Sequence, residues 1–192
     1  MQIHGDSCPG RPHIQCAGWW SRRLNSPNDV TSATQCFSAV RQAMTLIGWL
    51  GLSFAAAGTA AFVSTDDWYL GLNKPAWNPP AWVFAPTWTF LYATMAVAAW
   101  LVWREGGWRA QGRALGLFLL QWALNALWTP LFFGLHRPGH ALIDILALWL
   151  VLAATLIAFW RVRRAAGVLL LPYLAWVTVA TVLNCAIWRM NP

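Results

Sequence analysis

The sequence predicts an all-α integral membrane protein, a bundle of five transmembrane helices with a long structured loop between the first two. Of its 192 residues, 58% are apolar and 10% are charged, which is far from the composition of a soluble domain. Charge-poor segments of about 20 residues can cross a hydrocarbon core of about 30 Å, and lipid forces such segments to be helical. These segments are residues 44–63, 86–103, 114–134, 141–160 and 167–188.

The charge pattern indicates how this bundle is oriented. The net charge is +7, yet no basic run resembles a phosphate-binding stripe, so we expect membrane lipid and no nucleic acid as a partner. Cytoplasmic loops are enriched in Lys and Arg, which places the N-terminus in the cytoplasm and the first loop and the C-terminus on the opposite side. The cytoplasmic set is Arg41, Arg104, Arg109, Arg113, Arg161, Arg163 and Arg164, and the opposite set is Lys74, Arg137 and Arg189.

Residues 1–43 differ from the rest of the chain and form a predicted N-terminal extension to a transmembrane domain of residues 44–192. The extension contains Cys8, Cys16 and Cys36 at spacings that match no zinc or redox pattern, and no apolar run that suits a signal sequence. Two interpretations stay open. Translation starts upstream of a functional protein that begins at Met44, or the segment is a disordered cytoplasmic tail.

The loop after the first span is rich in proline and tryptophan. Pro79 and Pro80 fix the backbone φ angle, so Trp77 and Trp82 are held in place at low entropic cost. Pro86 is expected in the first turn of the next helix, where a missing N–H is tolerated. A structured segment held in place by its prolines and an interfacial aromatic belt are both compatible with this pattern.

The first two spans have different faces. Gly48, Gly51 and Gly58 in the first span predict close helix packing, because small residues let backbones approach each other in lipid. In the second span, Trp88 and Tyr92 fall on one face at helical spacing. That face continues the aromatic loop into the bundle.

The third span has two nearly opposite faces. Asn125 and Trp128 lie on a polar and aromatic stripe, and a buried amide in lipid requires a partner helix or a cavity. Gly112, Gly116 and Ala123 lie on the other side. This small-residue face is either a homodimer seam or an internal contact, and we expect the former.

The fourth span contains Asp144, the one acidic residue inside any predicted span. A charge in the membrane interior is costly, although Asp144 is close to a helix end. Its carboxylate either reaches the interface, pairs with Arg137 or His140, or lies at the rim of a pocket. In the fifth span, Trp176, Ala180 and Asn184 share one face.

Four motifs in order identify a resemblance. They are Trp77-Asn-Pro-Pro-x-Trp-Val-Phe, Pro86-Thr-Trp-Thr-x-Leu-Tyr, Leu124-Asn-x-Leu-Trp-Thr-Pro-Leu-Phe-Phe-Gly and Pro172-Tyr-Leu-Ala-Trp. Over residues 44–191 the chain resembles the tryptophan-rich sensory protein family, whose mitochondrial relatives are the translocator proteins or peripheral benzodiazepine receptors. The resemblance implies a five-helix bundle, often dimeric, whose first loop covers a pocket for protoporphyrin IX, haem or benzodiazepine-type ligands.

The resemblance also implies which residues bind the ligand. No cofactor is required and no metal site is expected. Lys74 either attracts the porphyrin carboxylates or is a solvated loop charge. Cys185 stands where the sterol motif of the family has tyrosine, so sterol binding through that motif is not expected. The implied ligand-binding residues are Trp77, Trp88, Tyr92, Asn125, Trp128, Asp144, Trp176, Ala180 and Asn184.

Three functions are compatible with this pattern. The first is a membrane receptor or sensor for porphyrins, and the second adds light-dependent porphyrin degradation, in which Trp88 and Trp176 would be the reactive indoles. The third is a transporter or carrier of tetrapyrroles or other hydrophobic ligands. Transport is less favoured, because ion-coupled transporters usually carry several ionisable residues in the membrane and Asp144 is the one acid here.

Overall fold

The computed structural model describes residues 27–61 and 67–191. Every regular element in these ranges is helical. Most of the predicted N-terminal extension, residues 1–43, lies outside the described ranges. By contacts the chain divides into Met1–Ala43 and Met44–Pro192. The division into an N-terminal extension of residues 1–43 and a transmembrane domain of residues 44–192 stays a prediction. The helices are α1 (Pro27–Ala61), α2 (Asp67–Gly71), α3 (Ala81–Trp103), α4 (Gly107–Thr129), α5 (Pro138–Val162) and α6 (Arg164–Met190), with a π-helical turn, Pro130–Gly134, after α4.

Four helices in the described ranges are long and apolar enough to cross a membrane. They are Ala81–Trp103, Gly107–Gly134, Pro138–Val162 and Arg164–Met190. These helices correspond to the second to fifth predicted spans. The helix that contains the first predicted span, α1, begins earlier than expected, at Pro27.

The start of α3 differs from the prediction. The helix begins at Ala81, directly after Pro80, so Pro86 lies inside the helix and not in its first turn. Pro86 cannot donate to the carbonyl one turn before it. Two hydroxyls beside it bond the same stretch of backbone, since Thr87 Oγ1 donates to the carbonyl of Val83 and Thr89 Oγ1 to that of Ala85, both at 2.8 Å.

The core lies where α5 packs on α4 and α6, and α3 packs on α4 and α6. Phe118 of α4 and Phe159 of α5 stack at its centre, with ring centroids 5.9 Å apart and planes at 12°. Close packing of large side chains holds the helices together in lipid, where the hydrophobic effect gives little help. The largest buried side chains include Leu91, Met95, Leu115, Leu148, Leu152, Leu170 and Tyr173.

Trp49 and Leu52 of α1 connect this helix to the bundle, one through ring packing and the other through a hydrogen bond. Trp122 Nε1 donates to the carbonyl of Leu52 at 2.8 Å, and Trp49 packs edge-on against Phe118 at 5.5 Å. The predicted close packing of Gly48, Gly51 and Gly58 is wrong within this chain, because a Cβ at any of the three would have no atom within 4 Å. The contact face of α1 is therefore different from its glycine face.

Candidate functional site

Residues 67–80, which precede α3, are anchored to the bundle at several points. The backbone N–H of Asn73 donates to Oδ1 of Asn191 and the Asn191 amide donates back to the Asn73 carbonyl, both at 3.0 Å. The Tyr69 ring is edge-on to Phe133 at 5.1 Å, and within the loop Lys74 Nζ lies 4.4 Å from the ring centroid of Tyr69 and donates to the carbonyl of Leu70 at 3.4 Å. The loop thereby covers one end of the bundle.

Below this loop lies a cavity of about 630 Å³, the central cavity, which reaches between the helices. Its volume is in the range of about 300–1,000 Å³ that small-molecule sites occupy. Seven predicted site residues line it, contributed by α3, α4 and α6. These are Trp88, Tyr92, Asn125, Trp128, Trp176, Ala180 and Asn184.

Two predicted site residues do not line the central cavity. Trp77 is 51% exposed, because the turn that bonds the Asn78 N–H to the Pro75 carbonyl at 2.9 Å directs Asn78 into the cavity and leaves the indole outside. Asp144 is buried in the helix bundle, but α5 faces the cavity with Ile145 and Leu148. The resemblance placed both residues in the site, and their part in ligand binding stays a prediction.

The polar groups of the cavity form bonds between helices. Tyr92 on α3 donates through its hydroxyl to Oδ1 of Asn125 on α4 at 3.1 Å. Trp128 Nε1 on α4 donates to Oδ1 of Asn184 on α6 at 3.1 Å, and Asn184 Nδ2 donates to the carbonyl of Pro138 at the start of α5 at 2.9 Å. Asn125 therefore both forms an interhelical hydrogen bond and lines the cavity, two roles that the sequence leaves as alternatives.

The aromatic side chains form two walls. Trp88 stacks on Tyr92 with centroids 5.3 Å apart and planes at 26°, and its ring is edge-on to Tyr173 at 6.3 Å. Trp176 is edge-on to Phe84 at 5.8 Å. Ring contacts of this kind orient the indoles and present large flat surfaces to the cavity.

The sequence reasoning did not place Phe84 and Phe133 in the cavity, although both line it. Phe133 is there because the segment Pro130–Gly134 is π-helical, with the Leu135 N–H bonded to the Pro130 carbonyl at 2.9 Å. A π turn changes the angular spacing of side chains, so the α-helical period no longer applies. Pro130, in the motif that begins at Leu124, is the sequence signal that indicates such an interruption of the α-helix.

Tyr69 and Lys74 complete the loop side of the cavity. Burial raises the pKa of the Tyr69 phenol, and a hydrogen bond with Asn78 acts in the opposite direction. The phenol is therefore neutral at physiological pH. Among the described residues, no group of three or more His, Cys, Asp and Glu side chains is arranged to hold a metal ion.

Comparisons with known proteins agree with this architecture. The profile of the TspO/MBR family matches residues 43–189. The chain is 47% identical over 137 residues to the tryptophan-rich sensory protein of Cereibacter sphaeroides, which covers 71% of this chain and 85% of that protein. It is 46% identical over 126 residues to the translocator protein of Homo sapiens (65% and 75% covered) and 40% identical over 157 residues to the tryptophan-rich protein TspO of Chlorobaculum tepidum (79% and 99% covered).

Proposed function

The chain belongs to the TspO/MBR family and is a multi-pass membrane protein, and from this premise we propose that it is a receptor or sensor that binds a porphyrin in the central cavity. The composition of the cavity wall is the main support for this proposal. Indoles from three helices, those of Trp88, Trp128 and Trp176, surround one space with Lys74 at its loop end. Large flat π surfaces with one basic group suit a flat, anionic ligand.

Lys74 would interact with the porphyrin carboxylates. Its ammonium group lies at the loop side of the cavity over the Tyr69 ring, and its hydrogen bond to the Leu70 carbonyl is long at 3.4 Å. A carboxylate is a stronger partner for an ammonium group than a carbonyl is. A bound porphyrin would therefore lie with its apolar face among the indoles and its carboxylates towards the loop.

The chemistry of the wall favours metal-free protoporphyrin IX over haem. None of the described residues that line the cavity is a histidine, cysteine or methionine, the usual axial ligands of haem iron. Tyrosine is a ligand in some enzymes, but here the Tyr92 hydroxyl donates to Asn125 and the Tyr69 phenol is neutral, so neither is a ready ligand for iron. Haem would then be held mainly by ring contacts, and no cofactor would be needed for binding either ligand.

We also propose that α1 supplies a fifth span, with the segment between α1 and α3 acting as a lid. Within Met44–Pro192, Ser53 and Ala56 of α1 are buried and the Leu52 carbonyl accepts from Trp122. The asymmetry of basic residues supports a cytoplasmic N-terminus. Labelling of single cysteines by a membrane-impermeant reagent, introduced in place of exposed Asn73 and exposed Arg109, tests the orientation, since they should react from opposite sides.

A homodimer through the small-residue face of α4 is a further part of the proposal. A Cβ on Gly116 would have no atom within 4 Å, and Ala123 is exposed, whereas Gly112 is covered by the indole of Trp108 of its own helix at 3.7 Å. The seam would thus be centred on Gly116 and Ala123. Gly116→Leu should give monomers that still bind porphyrin. A dimer of unchanged stability in detergent, measured by light scattering, would exclude this face.

Whether the protein also degrades the porphyrin depends on chemistry at the indoles, whereas the alternative function, a carrier of the porphyrin across the membrane, needs no such chemistry. An indole can donate an electron to a photoexcited porphyrin, with dioxygen as the oxidant, and Trp88 and Trp176 are the indoles placed for this role. Titration of the purified protein with protoporphyrin IX in the dark, followed by illumination, separates these possibilities. Saturable dark binding supports the receptor, and light-dependent loss of porphyrin absorbance adds the enzyme. A protein that shows no saturable binding would refute both.

A further inference from the structure

A second cavity, here called the end cavity, lies at the end of the bundle that carries the loop, and we propose that it binds the phosphate-containing headgroup of an anionic phospholipid. Its volume is about 910 Å³, and it shares none of its lining residues with the central cavity. It lies between the short helix α2, the connection from the π turn to α5, and the last turn of α6.

Fixed contacts form the walls of the end cavity. The indole of Trp68 on α2 stacks on the ring of His136, with centroids 4.3 Å apart and planes at 16°. His136 has a left-handed backbone (φ 54°), which is uncommon for a residue with a Cβ and turns the chain towards α5. On the opposite wall, the paired hydrogen bonds of Asn73 and Asn191 tie the loop to the end of α6.

One side of the lining carries basic side chains and the cationic guanidinium group of Arg137. Arg137, His136 and His140 contribute basic side chains, and none of the described lining residues carries a carboxylate. Within the part of the chain that the structure describes, the Arg137 side chain forms no ion pair or hydrogen bond. An unpaired guanidinium group matches the geometry of two phosphate oxygens.

The first turn of α5 adds to this positive potential. The 25-residue helix begins at Pro138 with no side chain that caps it and no acidic residue in its first turn. Its N-terminal N–H groups therefore carry an uncompensated partial positive charge towards the cavity that Pro138, Gly139 and His140 line. Together with Arg137, this site would recognise an anion.

The other side of the end cavity is apolar and faces outward. Ile143 is 69% exposed, and the indole of Trp188 is exposed beside it. Tryptophan side chains at the ends of membrane spans lie at the depth of lipid headgroups. A phospholipid could place its phosphate near Arg137 and its acyl chain along Ile143 and Trp188, whereas free phosphate would leave this apolar surface uncovered. An anion site beside an exposed apolar surface therefore suits an anionic lipid.

One position allows the cavity to be blocked without a change in charge. A Cβ on Gly139 would lie 2.9 Å from Nε1 of Trp188, so the first turn of α5 and the last turn of α6 touch at this point. A larger side chain at Gly139 has to move the indole. The variant Gly139→Leu therefore tests the shape of the cavity, and Arg137→Gln tests its charge.

The test is calorimetric titration of the full-length protein in a neutral detergent with short-chain phosphatidylglycerol below its micelle concentration. Short-chain phosphatidylcholine and inorganic phosphate are titrated in parallel. Arg137→Gln should weaken phosphatidylglycerol binding by about tenfold, the value of one charge-assisted hydrogen bond. The matched control is Arg189→Gln, which removes a charge from an exposed residue at the same end of α6 but outside the lining, and which should change binding by less than about twofold.

Each outcome decides the proposal. Phosphatidylglycerol binding that is about tenfold weaker in Arg137→Gln and lost in Gly139→Leu, with unchanged thermal unfolding and unchanged dark binding of protoporphyrin IX, supports it. Equal weakening by Arg137→Gln and Arg189→Gln indicates general charge attraction and overturns it. Inorganic phosphate or phosphatidylcholine that binds as tightly as phosphatidylglycerol overturns the preference for an anionic lipid. Binding that neither variant at Arg137 nor the one at Gly139 changes excludes the cavity altogether.

Discussion

The central cavity and the end cavity lie on either side of the same short helix, α2, yet their chemistry is opposite. Trp68 lines the end cavity and Tyr69, the next residue, lines the central one. In the central cavity the amides of Asn125 and Asn184 are bonded to neighbouring helices. In the end cavity the basic side chain of Arg137 has no such partner among the described residues.

This difference follows from burial. Asn125 and Asn184 are buried between packed helices, where water is absent, so polar side chains have to pair with each other. At a helix end, backbone N–H groups are free and water or headgroups are near, so unpaired charges are tolerated. Aromatic recognition is therefore expected in the central cavity and anion recognition at the helix ends.

The largest effect is expected when the indoles of the central cavity are changed. We expect Trp88→Phe and Trp176→Phe to weaken dark binding of protoporphyrin IX by no more than about tenfold, because one aromatic stack is worth about 0.5–1.5 kcal/mol. Light-driven loss of the porphyrin absorbance should slow more than this, since phenylalanine is a poor electron donor. Phosphatidylglycerol binding should not change.

Trp77→Phe is the matched control, because this indole is 51% exposed and lies outside the cavity. Equal bleaching rates in the wild type and in all three variants would remove the enzymatic interpretation and leave a receptor or carrier. Complete loss of dark binding in Trp88→Phe would instead assign that indole a structural role.

A second prediction concerns Asn184, which connects the two cavities. Its amide accepts from Trp128 in the central cavity and donates to the Pro138 carbonyl in the end cavity. Asn184→Leu removes both bonds, and at about 0.6–1.7 kcal/mol for each interhelical bond in a membrane it should lower the free energy of unfolding by about 1–3 kcal/mol. Both ligands should bind more weakly. Thermal unfolding and the two titrations measure this effect.

The control for Asn184→Leu is Val182→Leu, an exposed position on the same helix. It should leave stability and both titrations unchanged. If Asn184→Leu weakens porphyrin binding alone, the bond to Pro138 does not support the end cavity.

A smaller effect is expected at Lys74. Lys74→Gln should weaken protoporphyrin IX binding by about threefold, because the loop is partly solvated and an exposed ion pair contributes at most about 1 kcal/mol. Lys74→Arg should retain most of the affinity, and the difference between the two variants should shrink in high salt. Absorbance titration measures all three quantities. An affinity in Lys74→Gln equal to that of the wild type would make Lys74 a solvated loop charge.

The smallest effect is expected from the N-terminal extension. A chain that begins at Met44 should insert, unfold at the same temperature and bind both ligands as the full chain does, because no described residue before Met44 lines either cavity. Membrane fractionation and the two titrations test this. Failure of the shortened chain to fold would show that the extension, including the part of α1 before Met44, is required.

The sequence by itself was sufficient for properties that depend on local composition. Hydropathy over about 20 residues located four of the spans, because the cost of a charge in lipid acts on each segment separately. The motifs identified the family, which the comparisons confirm. Helical period placed Trp88, Asn125 and Trp176 on faces that do line one cavity, because a straight α-helix keeps its period.

The tertiary structure decided properties that depend on contacts between distant segments. It excluded Trp77 and Asp144 from the cavity wall, since a turn and the rotation of α5 set the direction of those side chains. It added Phe133 through the π turn, which no α-helical period describes. The end cavity combines α2, the start of α5 and the end of α6, which are far apart in the chain, and only the packing of helix ends brings their charges and indoles together.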